Sequence, residues 1–310
     1  MRVFLAGATG AIGRPLVERL LADGHEVVGT TRDAARATAL RERGAEAVVL
    51  DAFDADALQA AVRAAEPEVV IHQLTAFPQA LDRKAMQAAV QMTSRLRRQT
   101  VPTFLDAARA AGARRAVVQS ISFVTRPDGR PVHDEDAPLF LGAGPHLSGP
   151  AESVRDMEAS VLAADGLEGV VLRYGFYYGP GTWYDKAGTI GALIRSRGYP
   201  IIGGGQGRMS YVHVDDAVDA TVRALDRGEP GIYNVTDDAP ATHKEWLPEA
   251  ARLMGAKKPR WAPVWLARRL AGDAAVHYAT TLPGNANGRA KAAFGWQPRH
   301  WRDGFREVFA

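Results

Sequence analysis

Three glycines near the start of the chain have the spacing of a turn that can hold phosphate groups. Gly7, Gly10 and Gly13 follow an apolar run at residues 3–6, and apolar side chains at helical spacing begin at Leu16. Glycine leaves room for a pyrophosphate to approach the backbone, and the start of the next helix offers free N–H groups and a positive dipole end. The pattern G-x-x-G-x-x-G therefore predicts a dinucleotide-binding unit. The alternative is a plain glycine-rich turn.

The end of the predicted second strand bears on which dinucleotide is bound. A carboxylate there binds the ribose 2′-hydroxyl of NAD, whereas an arginine accepts the 2′-phosphate of NADP. The chain has Thr31, Arg32 and Asp33 at this place, and Arg36 lies one helical turn further on. Because guanidinium geometry suits phosphate, the sequence predicts NADP(H) as the cofactor in preference to NAD. In the alternative interpretation Asp33 caps the next helix and Arg32 lies on the surface.

The elements that must position these residues alternate through the first half of the chain. Apolar runs predict strands at 24–30, 47–50, 69–74, 116–119 and 169–174, and helices are predicted at 33–43, 54–65, 82–111 and 152–164. Asp54 is a predicted N-cap, Pro102 predicts a kink or a break, and residues 126–150 are predicted to be a loop. The pattern indicates an α/β fold with a Rossmann-type, doubly wound parallel sheet that binds ligands outside its carboxyl edge.

The composition changes after the predicted sixth strand. All six tryptophans and all eight tyrosines lie at residue 174 or later, whereas a helix at 215–225 and a strand at 231–235 resemble the earlier scaffold. We expect residues 1–174 to form an NADP-binding Rossmann domain, with returns near 211–236. Residues 175–310 then form mainly a smaller, interleaved substrate domain, whose aromatic side chains shape a pocket.

The bulk composition excludes several functional classes. The chain has no cysteine, and its net charge of +3 is spread over helix faces, with short clusters such as Arg95, Arg97 and Arg98 that we interpret as solvated. No nucleic-acid-binding motif, leader segment or apolar run of about 20 residues is recognised. We therefore expect a cytoplasmic protein that binds a small-molecule substrate and neither nucleic acid nor membrane.

Several motifs together resemble one family, the extended short-chain dehydrogenase/reductases of the NAD-dependent epimerase/dehydratase type. The glycine turn is one of these motifs, and the others are the segments 70–72, 172–181, 211–217 and 290–296. The resemblance spans nearly the whole chain. It implies a Rossmann domain with a smaller C-terminal substrate domain, and it implies a homodimer formed through the helices at 82–111 and 152–164, although neither shows a clear apolar stripe.

The chain departs from this family at the centre of its chemistry. The family uses a Tyr-x-x-x-Lys pair on the helix before the sixth strand, where lysine lowers the pKa of a tyrosine that acts as acid or base. Pro150 and Val154 occupy these two positions here. No tyrosine precedes Tyr174, and no lysine lies between Lys84 and Lys186. The chain is thus an atypical member, and the family's chemistry does not transfer directly.

The resemblance also implies which residues contact the cofactor. Thr9, Ala11 and Ile12 lie within the glycine turn, and Asp51 and Ala52 match positions that contact adenine. The remaining positions border the nicotinamide side or the ribose and comprise Gln73, Leu74, Thr75, Ser120, Tyr174 and the Thr31–Arg32–Arg36 group.

The missing pair leaves the catalytic residues open. Ser120, with Ser122 as its neighbour, matches the family's catalytic serine that bonds a substrate oxygen; the alternative is a turn serine that satisfies the backbone. Candidate proton donors near the carboxyl edge are Tyr174, Tyr177, Tyr178, His133 and His146. For the tyrosines the alternative is pocket lining or core. His133 lies beside three acids, but the family has a structural acidic loop there, so no metal site is expected.

Together these observations favour an NADP(H)-dependent oxidoreductase, a reductase, that acts on a small organic substrate. Hydride transfer needs mainly a positioned nicotinamide, because the cofactor carries that chemistry. One alternative is a sugar-type epimerase or dehydratase, whose chemistry is harder to perform without the pair. A second is a dinucleotide-binding sensor without turnover, which loss of the pair favours and the aromatic second half opposes.

Overall fold

Strands and helices alternate regularly through the first half of the chain. The structure is a computed structural model that describes residues 1–78 and 83–310, with only the backbone described at positions 83, 145, 146 and 148. The elements in this half are β1 (Arg2–Ala6), α1 (Gly13–Ala22), β2 (Glu26–Thr31), α2 (Ala34–Glu42), β3 (Glu46–Val49), α3 (Ala55–Ala65), β4 (Val69–His72), α4 (Arg83–Ala110), β5 (Arg115–Ile121), β6 (Val132–His133) and α5 (Pro145–Leu162).

The second half contributes two further strands to the central sheet and many short elements. They are β7 (Glu168–Tyr174), β8 (Phe176–Tyr178), α6 (Thr189–Arg195), β9 (Ile201–Ile202), β10 (Arg208–Met209), β11 (Tyr211–His213), α7 (Val214–Arg223), β12 (Gly231–Val235), β13 (Ala241–Thr242), α8 (His243–Leu253), β14 (Trp261–Ala262), α9 (Val264–Ala271), α10 (Asp273–Thr280), β15 (Gly284–Asn285), α11 (Gly288–Phe294) and α12 (Trp301–Phe309).

In the described part of the chain, seven parallel strands form the central sheet in the order β12-β7-β5-β4-β1-β2-β3. The strand order reverses between β1 and β4, where Val3 to Ala6 pair with Val69 to His72. All four residues of β4 are buried, as expected for a parallel strand that helices cover on both faces. This confirms the Rossmann-type fold, and the switch point between β1 and β4 is where such sheets bind ligands.

Two apolar clusters cover the two faces of the sheet, and a third lies in the second half. Alternate side chains of β1 and β5, for example Val3 and Val117, belong to the cluster with α1 and α7, while Phe4 and Val118 belong to the cluster with α3, α4 and α5. The third cluster is built largely from aromatic side chains around Trp246. Within the described residues, no helix is long and apolar enough to span a bilayer.

The structure corrects two predictions of secondary structure. The segment 126–150 is not all loop, because it contains β6 and because α5 already begins at Pro145, seven residues before the predicted start. Proline is tolerated in the first helical turn, where its missing N–H has no intrahelical acceptor. Pro102 does not divide the long helix, which runs as α4 from residue 83 to 110. The predicted strand at 231–235 and the N-cap at Asp54 are confirmed.

Candidate active site

The glycine turn between β1 and α1 is shaped by close backbone approaches on one side and open space on the other. A Cβ atom at Gly7, whose φ is +96°, would come within 2.9 Å of the Gln73 carbonyl oxygen. A Cβ at Gly13 would overlap the Gly7 carbonyl and the Ala8 backbone, whereas one at Gly10 would meet only the Gly7 oxygen, at 3.5 Å. Packing against the backbone thus requires glycine at positions 7 and 13, whereas the space beside Gly10 is open.

This turn fits the pyrophosphate of a dinucleotide. Gly10 and Ala11 are exposed, Thr9 is half-buried, and Ile12 is buried at the N-cap of α1. No side chain caps α1 and no acid lies in its first turn, so its N-terminal N–H groups and positive dipole end remain available to an anion. The glycine turn and the first turn of α1 are therefore the part of the chain that would hold the phosphates.

At the end of β2, the acid and the arginines have different environments. The Asp33 carboxylate accepts hydrogen bonds from the N–H groups of Ala35 (2.8 Å) and Arg36 (3.0 Å), which lower its pKa. Thr31 is buried, and its hydroxyl accepts from the Asp33 N–H. Arg32 and Arg36 are exposed, and neither forms an ion pair with a carboxylate in the described residues. Asp33 caps the helix, and two guanidinium groups remain available for a phosphate.

The predicted adenine and nicotinamide positions lie on the loops that follow β3 and β4. Asp51 is exposed and accepts a hydrogen bond from the Phe53 N–H at 3.0 Å, and Ala52 is half-buried. After β4, Gln73 is buried, Leu74 is half-buried and Thr75 is exposed. All of these positions lie on loops at the carboxyl edge of the sheet.

Tyr174, a predicted catalytic and cofactor residue, is instead locked into the core. It is fully buried, its hydroxyl accepts a hydrogen bond from the Gln73 amide at 3.0 Å, and it lies 2.7 Å from the Thr221 hydroxyl. Burial raises the pKa of Tyr174 to about 12. The same Gln73 side chain has a buried carbonyl oxygen without a partner among the described residues. The Tyr174 hydroxyl is thus occupied by Gln73 and Thr221, and its catalytic and cofactor roles stay predictions.

The Tyr177 ring lies 5.4 Å from the Tyr174 ring, but neither Tyr177 nor Tyr178 forms a hydrogen bond to another candidate proton donor among the described residues. Burial raises the pKa of Tyr177 and of Tyr178 well above the usual value, and neither hydroxyl has a partner among the described residues. His146 lies in the first turn of α5, but its side chain is outside the described part of the structure. His133 is buried and contacts Thr125 and Asp128, at 3.1 and 2.9 Å. In the chain as described, no group of three metal-ligating side chains converges.

Ser120 belongs to a buried polar network. Its hydroxyl donates to Glu158 Oε1 at 2.7 Å, and Arg173 contacts both Glu158 oxygens, at 2.8 and 2.6 Å. All three side chains are less than 5% exposed. The network connects β5, α5 and β7, and Arg173 also donates to the Glu135 carbonyl. Ser120 thus has a structural partner on the helix side of the sheet, and its catalytic role stays a prediction.

The resemblance assigns the tyrosine and lysine positions of the family to Pro150 and Val154, and Val154 belongs to a small apolar cluster. Val154 is fully buried with Val124 and Ala151, and Ile121 and Leu139 pack against them. Pro150 is half-buried in the same helix. No acid or base occupies either position, and the nearest polar side chain in the helix is Ser153, which is buried beside Val154.

Arg97 was interpreted from the sequence as part of a solvated cluster, and this was wrong. Arg95 and Arg98 are exposed, but Arg97 is only 5% exposed and donates to the Ser153 hydroxyl at 3.3 Å. Residues 93, 96, 100, 101 and 104 of α4 are also buried and lie at helical spacing from Arg97. The pattern puts position 97 on the face of α4 that packs on its neighbours.

Three aromatic rings from different elements meet near the carboxyl ends of β5 and β7. Phe123 and Phe176 are stacked, with ring centroids 4.3 Å apart, and Tyr278 of α10 lies edge-on to both at 6.0 Å. All three rings are partly exposed. Several other aromatic side chains of the second half lie in the core; the fully buried ones are Trp246, Trp296, Tyr178, Tyr211, Phe294, Phe305 and Phe309.

The fold and the glycine turn define a dinucleotide-binding oxidoreductase scaffold of the short-chain dehydrogenase/reductase superfamily. The model of the NAD dependent epimerase/dehydratase family matches residues 3–236, and the chain belongs to this family. A 3-diazoavenalumate denitrifying reductase from a Streptomyces species is 48% identical over 307 residues, which cover 98% of this chain and 99% of the relative.

Solved structures support the same assignment of the fold. The UDP-glucose 4-epimerase of Thermus thermophilus, in complex with NAD, has a TM-score of 0.75 and 27% identity and covers 100% of this chain and 98% of its own. The UDP-glucose 4-epimerase of Thermotoga maritima has a TM-score of 0.78 at 20% identity, covering 100% and 97% of the two chains. The family thus includes both reductases and epimerases, and family membership alone does not distinguish between these two activities.

Proposed function

We propose that the protein is an NADP(H)-dependent reductase that removes nitrogen from a small aromatic diazo compound. The observation that carries this proposal is that Val154, the position to which the resemblance assigns the family's lysine, is fully buried in an apolar cluster with Val124 and Ala151. The similarity to a denitrifying reductase over nearly the whole of both chains supports the same reaction class.

The proton balance of this reaction suits a site in which the described tyrosines are buried and have raised pKa values. A bound reduced nicotinamide would supply the hydride. Addition of a hydride to the terminal nitrogen of an aryl diazonium forms an N–H bond and an aryl diazene. Its carbon–nitrogen bond then breaks, N2 leaves, and the hydrogen remains on the ring carbon. The sum is Ar–N2⁺ plus hydride giving Ar–H and N2, with no proton taken from the protein, whereas carbonyl reduction requires a proton on oxygen.

The preference for NADP(H) rests on the end of β2. Asp33 uses its carboxylate to cap α2, and the exposed Arg32 and Arg36 have no carboxylate partner in the described residues. We expect the double substitution Arg32→Ala and Arg36→Ala to weaken NADPH binding by about tenfold or more and to leave NADH binding unchanged. Calorimetric titration of both cofactors tests this, and a wild-type protein that binds NADH more tightly than NADPH contradicts it.

The epimerase and sensor alternatives are less consistent with the site. Epimerisation through a transient ketone needs a group that removes and returns a hydroxyl proton, and the Tyr174 hydroxyl is buried and already contacts Gln73 and Thr221. A sensor without turnover would have no use for the partly exposed aromatic rings at Phe123, Phe176 and Tyr278.

One assay separates these functions. Purified protein is mixed with NADPH and 4-carboxybenzenediazonium, and NADPH oxidation, N2 release and benzoate formation are followed. We expect one N2 and one benzoate for each NADPH consumed, at a rate well above that without protein. The variant Gly13→Ala, in which the new Cβ overlaps the Gly7 carbonyl, serves as a control that should lose this activity. Turnover of ketones with no denitrification would overturn the proposal, and net redox-neutral conversion of a nucleotide sugar would favour the epimerase.

A further inference from the structure

Arg97 is a buried cation without an anionic partner. The residue is 5% exposed, and its guanidinium donates a hydrogen bond to the neutral Ser153 hydroxyl at 3.3 Å. No carboxylate in the described residues lies within ion-pair distance of it. A buried charge that is not paired costs several kcal/mol, so side chains of this kind are rarely retained for packing alone.

The nearest buried carboxylate is already neutralised by another residue. Glu158 attracts Arg97 electrostatically, but both of its oxygens contact Arg173, and one also accepts from Ser120. The positive charge of Arg97 therefore exceeds the negative charge around it. Burial of the guanidinium lowers the pKa of Arg97 to about 10, so the side chain is still charged at neutral pH.

Arg97 lies where this fold binds its ligands. Its charge acts on His72, the last residue of β4, and on Tyr278 of α10. Tyr278 in turn contacts Phe123, which follows β5, and Phe176, which follows β7. Arg97 therefore lies close enough to the end of β4 to influence His72, and Tyr278 connects it to aromatic rings that follow β5 and β7. These strand ends form the carboxyl edge of the sheet, the edge at which such sheets bind ligands.

We propose that Arg97, held in place by Ser153, forms an anion-binding subsite for the carboxylate of an aromatic substrate whose ring packs against Phe123, Phe176 and Tyr278. The Ser153 hydroxyl donates to the Pro150 carbonyl at 2.8 Å and accepts from Arg97, so the anion is bound by the other guanidinium nitrogens of Arg97. This inference deepens the proposed function and rests on it for the reaction, though not for the binding. A guanidinium can bind a carboxylate through two parallel N–H donors. Burial raises the pKa of Tyr278 to about 12, so its hydroxyl stays neutral and can donate a further hydrogen bond to the anion.

The binding experiment uses a stable aromatic acid that needs no turnover. The full-length protein is titrated calorimetrically with 4-hydroxycinnamate and with its uncharged methyl ester, with and without NADP⁺. We expect the wild type to bind the acid at least about tenfold more tightly than the ester. Arg97→Gln should weaken acid binding by about 10- to 100-fold and change ester binding by less than about threefold, because only the acid uses the charge.

Two further variants keep the test decisive. Arg98→Gln, at the exposed neighbouring position that pairs with Asp156, is the matched control and should leave both affinities unchanged. Arg97→Lys keeps the charge but lacks the planar guanidinium, so its ratio of acid affinity to ester affinity should lie between those of wild type and Arg97→Gln. This variant also provides the test if Arg97→Gln does not fold. A structural role of Arg97 would lower both affinities together, and an unchanged acid-to-ester ratio in Arg97→Lys and Arg97→Gln would overturn the subsite.

The subsite and the proposed reaction can fail separately. If Arg97 controls acid binding but no diazonium is denitrified, the proposed function is wrong and the subsite stands. If denitrification occurs with the same KM for 4-carboxybenzenediazonium in wild type and Arg97→Lys, the subsite is wrong and the function stands. Both proposals are supported when Arg97→Gln raises this KM and lowers acid binding by similar factors.

Discussion

Replacing Glu158 by glutamine should destabilise the protein strongly, because it removes the negative charge from a buried network. Glu158 and Arg173 are each about 4% exposed and are joined by two contacts of 2.8 and 2.6 Å. A glutamine keeps the shape of the side chain, and its one carbonyl oxygen cannot accept from both Ser120 and the two Arg173 nitrogens. Arg173 would remain a buried cation whose other partner is the Glu135 carbonyl.

The size of the effect follows from burial and chain length. Removing one member of a buried ion pair costs about 3–5 kcal/mol, because the other charge stays desolvated. With an unfolding entropy of about 2.1 cal/mol/K per residue, a chain of 310 residues has about 0.65 kcal/mol/K. Glu158→Gln should therefore lower the Tm by roughly 5–8 °C.

Thermal unfolding followed by circular dichroism measures this directly. The matched control is Glu152→Gln on the same helix, whose carboxylate is 43% exposed and lies 3.7 Å from Arg98, so its Tm should shift by less than about 1 °C. The double substitution Glu158→Leu and Arg173→Met should recover much of the loss, since it leaves no buried charge. A shift below about 2 °C for Glu158→Gln would refute the view that this network stabilises α5 against the sheet.

Three substitutions test other parts of the structure. Gly10→Ala should leave the Tm nearly unchanged but weaken NADPH binding by about tenfold or more, because its Cβ points into open space that the pyrophosphate needs. Gly13→Ala should lower both the Tm and the affinity, because its Cβ overlaps backbone atoms; equal Tm values for the two variants would contradict this. Burial raises the pKa of Asp237 to about 7, so the folded state holds its proton more tightly than the unfolded state, and stability should fall as pH rises from about 4 to 7. Asp237→Asn should remove this part of the Tm decline between pH 5 and 7.5, and an unchanged slope would contradict the assignment.

Much of the fold could be predicted because its signals are local. The strand at 231–235 has the predicted bounds, and the glycine turn follows β1 as expected. The start of α5 was missed because Pro145, Gly149 and Pro150 are residues that usually mark loops. Proline at the first helical position and packing of the helix against α4 outweigh these local preferences. Helix boundaries that depend on tertiary packing are not visible in the pattern of a single segment.

The candidate site was less predictable than the fold, because side-chain direction depends on neighbouring elements. Ser120 was expected to bond a substrate oxygen. Its hydroxyl is oriented by a hydrogen bond to Glu158, which lies 38 residues away in the chain and cannot be recognised as its partner from the local sequence. Arg97 belongs to a run of arginines whose other members, Arg95 and Arg98, are exposed, so composition alone suggests a solvated surface. The face of α4 that is buried depends on α3 and α5, and only the assembled fold shows that position 97 lies between the helices.

The environments of the tyrosines also limit the reactions that this site can perform. Reduction of a carbonyl needs a donor whose pKa lies near neutrality, as the family's lysine provides for its tyrosine. Here burial raises the pKa of Tyr174 and Tyr278 to about 12, and Val154 stands at the lysine position. The cation that remains, Arg97, cannot transfer a proton near neutral pH but can hold an anion. Neither Tyr174 nor Tyr278 titrates near neutrality, so a dinucleotide cradle combined with the proposed Arg97 subsite is better suited to reductions that take no proton from the protein than to carbonyl chemistry.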